Sequence, residues 1–335
     1  MSPAAGPQPD PFTTLTAQEA PFPSFTKIWH RNSYPAISPT APAQSAQGKT
    51  VLITGGGGSI GAATARSFAV AGAAHIAILG RTESSLLDTK EQIESRKGNK
   101  TRVWTFVCDV FDQAAVDKTF VDFERGLKAE SGENLSIDVL VLNAGYCKHK
   151  QPLTGDMPVD EWMLGITGNL TGPLVVTRAF LRYVRSEEDR KAKGLSPPVV
   201  INVSSCASFI VMMPGISAYS VGKAAGAVLM QHLQLEYPDM RVVSIQPGGP
   251  DSEMQRDAGV KPMDHVSLPG DFNVWLAGKE ADFLKGKYVF ANWDVEEMID
   301  RKQQIVEDGL LESWLSGVPR AKMRLEMKSG DTIDA

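Results

Sequence analysis

The sequence predicts an α/β protein built on a doubly wound parallel sheet of about seven strands in a single domain. Short apolar, β-branched runs alternate with longer helical segments from about residue 48 to residue 300. Strands that alternate with helices build a parallel sheet with helices on both faces. A glycine-rich turn also joins the first such run to the first helix, the position at which sheets of this kind bind a nucleotide.

Composition limits the classes of function. The chain has 335 residues, of which 42% are apolar and 22% charged, as is usual for globular proteins. Its net charge of −5 and its lack of a basic block predict no nucleic-acid or membrane partner, so the expected ligand is a small molecule. Cys108, Cys147 and Cys206 lack the spacing of metal ligands, which predicts no metal site and a reducing compartment. The amino end lacks a signal-peptide pattern, so a cytoplasmic protein is expected.

Residues 1–47 are predicted to be a Pro-rich N-terminal extension and not a domain. Four aromatic residues are scattered through it without a period, at Phe22, Phe25, Trp29 and Tyr34. They either pin the extension across the folded body or belong to a loose tail. The sequence leaves both alternatives open.

The first strand is predicted at Val51–Thr54, followed by a glycine loop and a helix of small and apolar residues. Glycine backbones allow close approach, and the N–H groups at a helix start favour an anion, so this turn predicts a phosphate site. Gly56, Gly58 and Gly61 satisfy the G-x-G-x-x-G pattern of dinucleotide-binding turns. A P-loop is excluded because the Gly-Lys-Thr triplet precedes the strand instead of following the loop.

The second strand, His75–Gly80, ends at Arg81. A carboxylate at this position accepts hydrogen bonds from the ribose of NAD, whereas a cation accommodates the additional phosphate of NADP. Arg81 therefore predicts that NADP(H) is favoured over NAD(H). Glu83 is expected to cap the helix that follows.

The alternation of strand and helix continues to the end of the domain. Further strands are predicted at Arg102–Val107, Ile137–Leu142, Val199–Val203, Arg241–Gln246 and Lys287–Phe290, and helices around Ser84–Ser95, Gln113–Lys128, Ser217–Glu236 and Val274–Leu284 and from Val295. The polar segment at about 253–270 predicts a lid over the substrate. Residues 301–335 are predicted to form a C-terminal helix and tail.

Three polar residues around the helix Ser217–Glu236 predict a reactive site. Ser205 follows a strand at its carboxyl end, where the ligand crevice of a parallel sheet lies. Tyr219 and Lys223 lie one helical turn apart on one face. A nearby ammonium favours the phenolate form of a tyrosine and makes the phenol a better proton carrier near neutral pH. The alternative is that a Tyr and a Lys stand four residues apart by chance.

These residues resemble the signature of the short-chain dehydrogenase/reductase family, a serine followed by Tyr-x-x-x-Lys. Ser205, Tyr219 and Lys223 match it, with Ser204 as the alternative serine and one more residue than usual before the tyrosine. The resemblance covers about residues 48–300 and implies a Rossmann-type domain. It implies an oxidoreductase that interconverts a ketone and a secondary alcohol, with Tyr219 as the proton donor. Lys223 would lower the pKa of the phenol and hold the nicotinamide ribose.

The resemblance also implies the residues that bind the cofactor. The family's T-G-x-x-x-G-x-G turn is matched with Ser59 in place of a glycine, and its P-G-x-V-x-T segment with Pro250 in place of the valine. Proline has no backbone N–H to donate. Asn169 matches the asparagine that helps to anchor the active-site water. The implied cofactor-binding residues are Gly55, Gly58, Ser59, Ile60, Gly61, Arg81, Asp109, Val110, Asn143, Ala144, Gly145, Tyr219, Lys223, Pro247, Gly248, Pro250 and Ser252.

Two alternative functions remain on the same scaffold, because one fold hosts many chemistries. Pro250 favours a non-redox member of the family, such as a dehydratase, an epimerase or a cyclase. A protein that binds the nucleotide without catalysis is disfavoured by the complete Ser-Tyr-Lys set. Phe209, Met212 and Met213 predict an apolar, fairly bulky substrate, such as a compound of secondary metabolism.

The resemblance finally implies a homodimer or a homotetramer. The family usually dimerises through two long helices, which correspond to the segments around 167–185 and 218–236. Gly222, Ala225 and Gly226 are expected to form the closely packed face of that interface.

Overall fold

A seven-stranded parallel sheet forms the centre of the computed structural model, which describes residues 11–132, 134–148, 153 and 157–313. Its strands are β1 (Thr50–Thr54), β2 (His75–Gly80), β3 (Arg102–Val107), β4 (Val139–Leu142), β5 (Val199–Val203), β6 (Arg241–Gln246) and β7 (Tyr288–Phe290). Their spatial order is β3-β2-β1-β4-β5-β6-β7, and every neighbouring pair is parallel. The predicted doubly wound parallel sheet is therefore confirmed.

Strand β1 shows why these residues form a central strand. All five of its residues are buried, and Leu52 pairs with Ala77 of β2 on one side and Leu140 of β4 on the other. Val51 and Ile53 join the core on one face of the sheet, whereas Leu52 joins the core on the opposite face. β-Branched and apolar side chains are favoured throughout, because both faces of a parallel sheet are covered by helices.

Helices cover both faces of the sheet. They are α1 (Ser59–Val70), α2 (Glu83–Glu94), α3 (Gln113–Ser131), α4 (Val159–Ile166), α5 (Gly172–Leu181), α6 (Glu187–Ala192), α7 (Ser217–Glu236), α8 (Glu253–Ala258), α9 (Ser267–Leu276), α10 (Val295–Asp300) and α11 (Lys302–Glu307). A π-helical turn, Thr167–Thr171, connects α4 to α5. Among the described helices, none has both the length and the apolar character needed to cross a bilayer.

The predicted helix Val274–Leu284 is wrong in its position. Helix α9 starts at Ser267, and the segment Lys279–Leu284 forms a separate 3₁₀ helix. Proline is tolerated in the first turn of a helix, so Pro269 does not prevent this early start. Gly270 lets α9 approach α1 closely, since a Cβ there would lie 3.1 Å from the Ala63 carbonyl oxygen. Residues 267–270 therefore belong to a buried helix, although the sequence places them in the lid.

Residues 11–47, here called the N-terminal arm, lie against the folded body. Trp29 is only 2% exposed and belongs to the same core as β1 and α9. His30 Nε2 lies 2.8 Å from the Asp294 carboxylate, and the backbone N–H groups of Lys27 and Ile28 donate to the Glu297 carboxylate. The sequence leaves open whether the extension is pinned across the folded body or is a loose tail. The described part of the extension is pinned across the folded body.

The small residues of α7 do not form an outer surface. A Cβ on Gly222 would lie 2.4 Å from the Gly165 carbonyl oxygen of α4, and a Cβ on Gly226 would lie 2.9 Å from the Asn169 carbonyl oxygen. The close packing of Gly222 and Gly226 is therefore within the chain, and the expectation that these two residues form the dimer face is wrong, whereas Ala225 is half-buried. The exposed side of α7 carries Val221 and Val228 instead.

Candidate active site

The glycine loop between β1 and α1 has the backbone geometry of an anion cradle. Gly55 adopts a φ of 67°, a conformation that residues with a Cβ rarely occupy. A Cβ on Gly61 would lie 2.2 Å from the Gly55 carbonyl oxygen, so only glycine fits at this helix start. The loop therefore leaves the backbone N–H groups near the first turn of α1 open to a phosphate.

A second loop is fixed against the first at the point where the strand order reverses. Thr54 Oγ1 accepts hydrogen bonds from the backbone N–H groups of Asn143 and Ala144, at 2.9 and 3.0 Å. The Asn143 side-chain amide donates to the Thr54 carbonyl oxygen at 3.0 Å. These contacts join the ends of β1 and β4, and ligands of doubly wound sheets bind at such a switch point.

The third loop, after β6, is joined to the start of α1 through Ser59. The Ser59 hydroxyl donates to the Asp251 carbonyl oxygen. Ser252 begins α8, since its side chain accepts from the Gln255 N–H at 3.2 Å. Pro250 directly precedes Asp251 and carries no N–H. The serine and the proline that depart from the family pattern therefore lie on either side of one contact between two loops.

One cavity of about 750 Å³ runs along the carboxyl ends of the strands. All of the predicted site residues line it except Gly61 and Asn169, which are buried close by. Its lining includes Gly55, Gly58, Ser59, Ile60, Arg81, Asp109, Val110, Asn143, Ala144, Gly145, Ser205, Tyr219, Lys223, Pro247, Gly248, Pro250 and Ser252. The structure thus brings the motifs of six separate loops to one site.

Arg81 and Asp109 lie at the β2 and β3 end of this cavity. Arg81 is exposed, and within the described residues no carboxylate forms an ion pair with it. The Asp109 carboxylate accepts from the Phe111 N–H at 3.0 Å, which fixes the turn after β3. This end of the cavity therefore carries an exposed cation after β2 and a carboxylate after β3.

Ser205, Tyr219 and Lys223 converge at the opposite end of the cavity. Ser205 follows β5, and its side chain lies close enough to Tyr219 to affect the pKa of the phenol. The Lys223 ammonium lies 5.9 Å from the centre of the Tyr219 ring and donates to the Val203 carbonyl oxygen at 2.8 Å. The alternative serine, Ser204, is 3% exposed and its hydroxyl is hydrogen-bonded to that of Ser208 at 2.8 Å. The geometry therefore favours Ser205 over Ser204 as the partner of the tyrosine.

Burial dominates the electrostatics of this group. It raises the pKa of Tyr219 above its usual value, and the nearby Ser205 hydroxyl opposes this only in part. Burial also lowers the pKa of Lys223 to about 8, because a desolvated ammonium is disfavoured. Burial therefore outweighs any lowering of the phenol's pKa by Lys223, the effect that the sequence predicts. At neutral pH the phenol keeps its proton.

Asn169 lies in the π-helical turn between α4 and α5 and is 2% exposed. Its side-chain amide donates to the carbonyl oxygens of Tyr146 and Gly165, at 2.6 and 2.8 Å. A Cβ on Gly145 would lie 3.1 Å from Asn169 Oδ1 and 3.2 Å from Lys223 Nζ. Asn169 therefore lies close to the lysine and fixes the loop after β4. π-Helical turns are frequent at functional sites.

Several of the residues that line the cavity are not among those predicted from the sequence. Phe22 reaches the cavity from the N-terminal arm, and Met263 from the segment before α9. Gln246 lies at the end of β6, where its side-chain oxygen accepts from the Cys206 N–H at 2.7 Å. Gln246 could have been found by its position at a strand end. Phe22 carries no local signal, because a lone aromatic residue in a Pro-rich segment has no pattern to place it.

The site fits a nicotinamide dinucleotide. The cavity joins the glycine cradle, the exposed Arg81 and the tyrosine–lysine pair in one continuous space. Its volume of about 750 Å³ is within the range typical of cofactor sites, about 300–1,000 Å³. The Gly55 and Gly61 backbone would hold the diphosphate, and Lys223 would hold a ribose.

Comparisons with known proteins agree with this geometry. The family model described as short chain dehydrogenase matches residues 49–262. A short chain dehydrogenase/reductase of Claviceps purpurea is 34% identical over 304 residues, 89% of this chain and 96% of that protein. Another, from Aspergillus novofumigatus, is 31% identical over 292 residues, 84% of this chain and 93% of that protein.

Solved structures give the same result. A short chain dehydrogenase from Mycobacterium smegmatis is 26% identical, with a TM-score of 0.58 over 73% of this chain and 92% of that one. The angucycline C-6 ketoreductase LanV, solved with bound NADP, is 24% identical and shares the fold, with a TM-score of 0.63 over 74% of this chain and 95% of that one. From the matched family model, the curated relatives and the shared sheet, the chain belongs to the short-chain dehydrogenase/reductase family.

Proposed function

We propose that the protein is an NADP(H)-dependent oxidoreductase that interconverts a ketone and a secondary alcohol on an apolar, fairly bulky small molecule, with Tyr219 as the proton donor. The observation that supports this best is the convergence of Ser205, Tyr219 and Lys223 at one end of a cavity that begins at a glycine cradle. A chance Tyr and Lys on one helix would not also meet a serine from a different strand.

The chemistry follows from where charge develops. The nicotinamide cofactor supplies the hydride when it is bound. Reduction of a ketone builds negative charge on its oxygen, which the hydroxyls of Ser205 and Tyr219 would stabilise by donating hydrogen bonds. Tyr219 then gives its proton to that oxygen as the general acid. The raised pKa of Tyr219 means that the phenol carries its proton at neutral pH, so the proton to be donated is in place.

Lys223 has a binding role in this proposal. Its ammonium is buried beside Tyr219 and Asn169 and is directed by the Val203 carbonyl oxygen. From that position it would donate to the ribose next to the nicotinamide. Asn169 holds the neighbouring loop in place and would anchor a water molecule in line with the lysine.

The preference for NADP(H) rests on Arg81. The side chain is exposed at the end of β2 and lines the cavity. An arginine there would pair with the ribose phosphate that distinguishes NADP from NAD. The next residue, Thr82, has no carboxylate, and Glu83 begins helix α2.

The substrate end of the cavity supports an apolar compound. Met212 and Met213 line it and are 40% and 42% exposed. Methionine side chains adapt their shape and make favourable contacts with aromatic rings. We infer that the segment from α8 to residue 266 closes over this end as a lid, because Met254, Val260 and Met263 line the cavity from it.

The proposed function is tested by following NADPH consumption with a panel of bulky ketones. The wild type should reduce at least one of them, and Tyr219→Phe should lower that rate about 10²–10⁴-fold because only the acidic hydroxyl is lost. NADPH affinity should not change. Tyr237→Phe is the matched control, since Tyr237 lies outside this cavity at the end of α7. Near-full turnover by Tyr219→Phe would refute the mechanism.

One observation favours a non-redox function as the second candidate. Pro250 has no N–H, and the Gly249 N–H is already bonded to the Asp264 carboxylate at 2.6 Å. Two successive residues of this loop therefore offer no donor to a nicotinamide amide. Conversion of a substrate without net consumption of NADPH would support a dehydratase, an epimerase or a cyclase instead.

A further inference from the structure

The N-terminal arm contributes a side chain to the candidate active site. Phe22 is partly buried and lines the same cavity as Tyr219, Met212 and Met213. It precedes residue 49, at which the match to the family model begins. This part of the cavity wall therefore comes from a segment outside the matched domain.

Phe22 lies near the β7 edge of the sheet. The centre of its ring is 6.4 Å from that of Trp29, and Trp29 is 6.1 Å from Phe290 of β7 in an edge-to-face arrangement. Strand β7 is at one edge of the sheet, whereas β3 and β2, which carry Asp109 and Arg81 at their ends, are at the other. Phe22 therefore lies near β7, on the side of the sheet away from the strand ends that carry Arg81 and Asp109.

A hydrogen-bonded network fixes the arm at this place. Arg31 Nε donates to the Met263 carbonyl oxygen at 2.6 Å, and the His265 N–H donates to the Arg31 carbonyl oxygen at 2.7 Å. Between them, Asp264 is 4% exposed and accepts from the Gly249 N–H at 2.6 Å and from the Asn292 amide at 3.0 Å. The arm, the end of the lid and the loop after β6 are therefore held together.

We propose that Phe22 determines specificity by providing an aromatic wall for a ketone that carries a fused aromatic ring. This assignment deepens the proposed function. It rests on that function for the reduction of the ketone, but binding of the aromatic ring does not depend on it. A planar ring would contact the Phe22 face and the thioethers of Met212 and Met213, which line the same cavity. Aromatic pairs and sulfur–aromatic contacts both favour such a ligand. A small aliphatic ketone would gain little from them.

The test compares Phe22→Ala with the wild type on two ketones, 1-tetralone, which has a fused aromatic ring, and cyclohexanone, which has none. Phe22→Ala should raise the KM for 1-tetralone about three- to tenfold, as expected for loss of an aromatic contact. The KM for cyclohexanone and the Kd for NADPH should change less than about twofold, because neither depends on an aromatic contact with Phe22. Phe22→Tyr keeps the ring and should restore the low KM.

A control variant separates the ring contact from the attachment of the arm. Phe25 lies in the same arm, but its ring packs on Trp293 and beneath the Arg301 guanidinium. Phe25→Ala should leave the KM for 1-tetralone unchanged. An equal rise in both variants would mean that a loosened arm causes the effect and would overturn the assignment.

Binding is also measured without turnover, by equilibrium dialysis of 1-tetralone against the NADPH-loaded protein. Weaker binding of 1-tetralone to Phe22→Ala than to the wild type supports the aromatic wall, whether or not the ketones are reduced. If neither ketone is reduced, the proposed reductase function fails for these ketones, but the aromatic wall stands. Equal binding to both proteins, or no saturable binding to the wild type, overturns the proposal.

Discussion

Two residues that depart from the family pattern are linked in the structure. Ser59 replaces a glycine of the first turn, and its hydroxyl donates to the Asp251 carbonyl oxygen, 192 residues further along the chain. Pro250 precedes that acceptor. Each departure can be recognised in the sequence by itself, but a contact across so many residues cannot. The same applies to Phe22, whose place in the cavity depends on the packing of Trp29 against β7.

At Arg81, we expect a selective effect on cofactor affinity. Arg81→Ala should weaken NADPH binding by about 1.5–3 kcal/mol, because it removes a charge-assisted contact to the ribose phosphate. NADH lacks that phosphate, so its affinity should change little. Fluorescence titration of both cofactors measures the difference, and Arg96→Ala, an exposed arginine at the end of α2 outside the cavity lining, is the control. Equal NADPH and NADH affinities in the wild type would contradict the assignment.

Lys223 should make cofactor binding depend on pH. Burial lowers its pKa to about 8, so the ammonium predominates below this pH and the neutral amine above it. NADPH affinity should therefore fall, by about tenfold, as the pH rises through about 8 and the charge-assisted contact is lost. Lys223→Met should bind weakly but lack this dependence, whereas Lys118→Met, whose side chain is 76% exposed, should retain it. The same pH dependence in Lys223→Met would show that another group is responsible.

At the scale of elements, the sequence predicts the central strands and helix α7 well. The bounds His75–Gly80 and Ser217–Glu236 agree with the structure, because β-branched runs and a proline just after a helix are strong local signals. Helix α9 was misplaced because its first turn contains Pro269 and Gly270, which locally resemble a loop. What makes that turn helical is tertiary contact, since Ser67 of α1 donates to the Asp271 carboxylate at 2.6 Å.

The N-terminal arm should contribute to the stability of the whole domain. Trp29→Ala should lower the free energy of unfolding by about 3–5 kcal/mol, because it empties a buried aromatic site in the core. The neighbouring Ile28 is 40% exposed, so Ile28→Ala should cost far less. Denaturant unfolding followed by circular dichroism compares the two variants. A similar loss in both would mean that the arm is not part of the cooperative core.

At the scale of the molecule, one sheet edge carries Arg81 and Asp109, and the N-terminal arm covers the other. The order β3-β2-β1-β4-β5-β6-β7 places the ends of β2 and β3 far from β7, which the arm covers. The sequence predicts this order only through the alternation of strands and helices. It does not predict which segment covers β7, because burial of Trp29 depends on contacts formed only in the folded chain.

The outer face of α7 is where we expect a second copy of the chain. Gly222 and Gly226 are used within the chain, but Val221, Val228 and Leu235 are 47%, 43% and 76% exposed at a spacing that places them along one side of the helix. Because the family usually dimerises through this helix, we expect the protein to form a homodimer or homotetramer that buries these side chains.

Val228→Arg should shift the assembly towards monomers at micromolar concentration, since a buried unpaired guanidinium at a helix interface is costly. Leu87→Arg is the matched control, because Leu87 is 48% exposed on α2, away from α7, and its variant should keep the wild-type assembly. Light scattering coupled to size-exclusion chromatography gives the mass of each protein. A monomeric wild type, or a Val228→Arg variant of unchanged mass, would rule out this face as the interface.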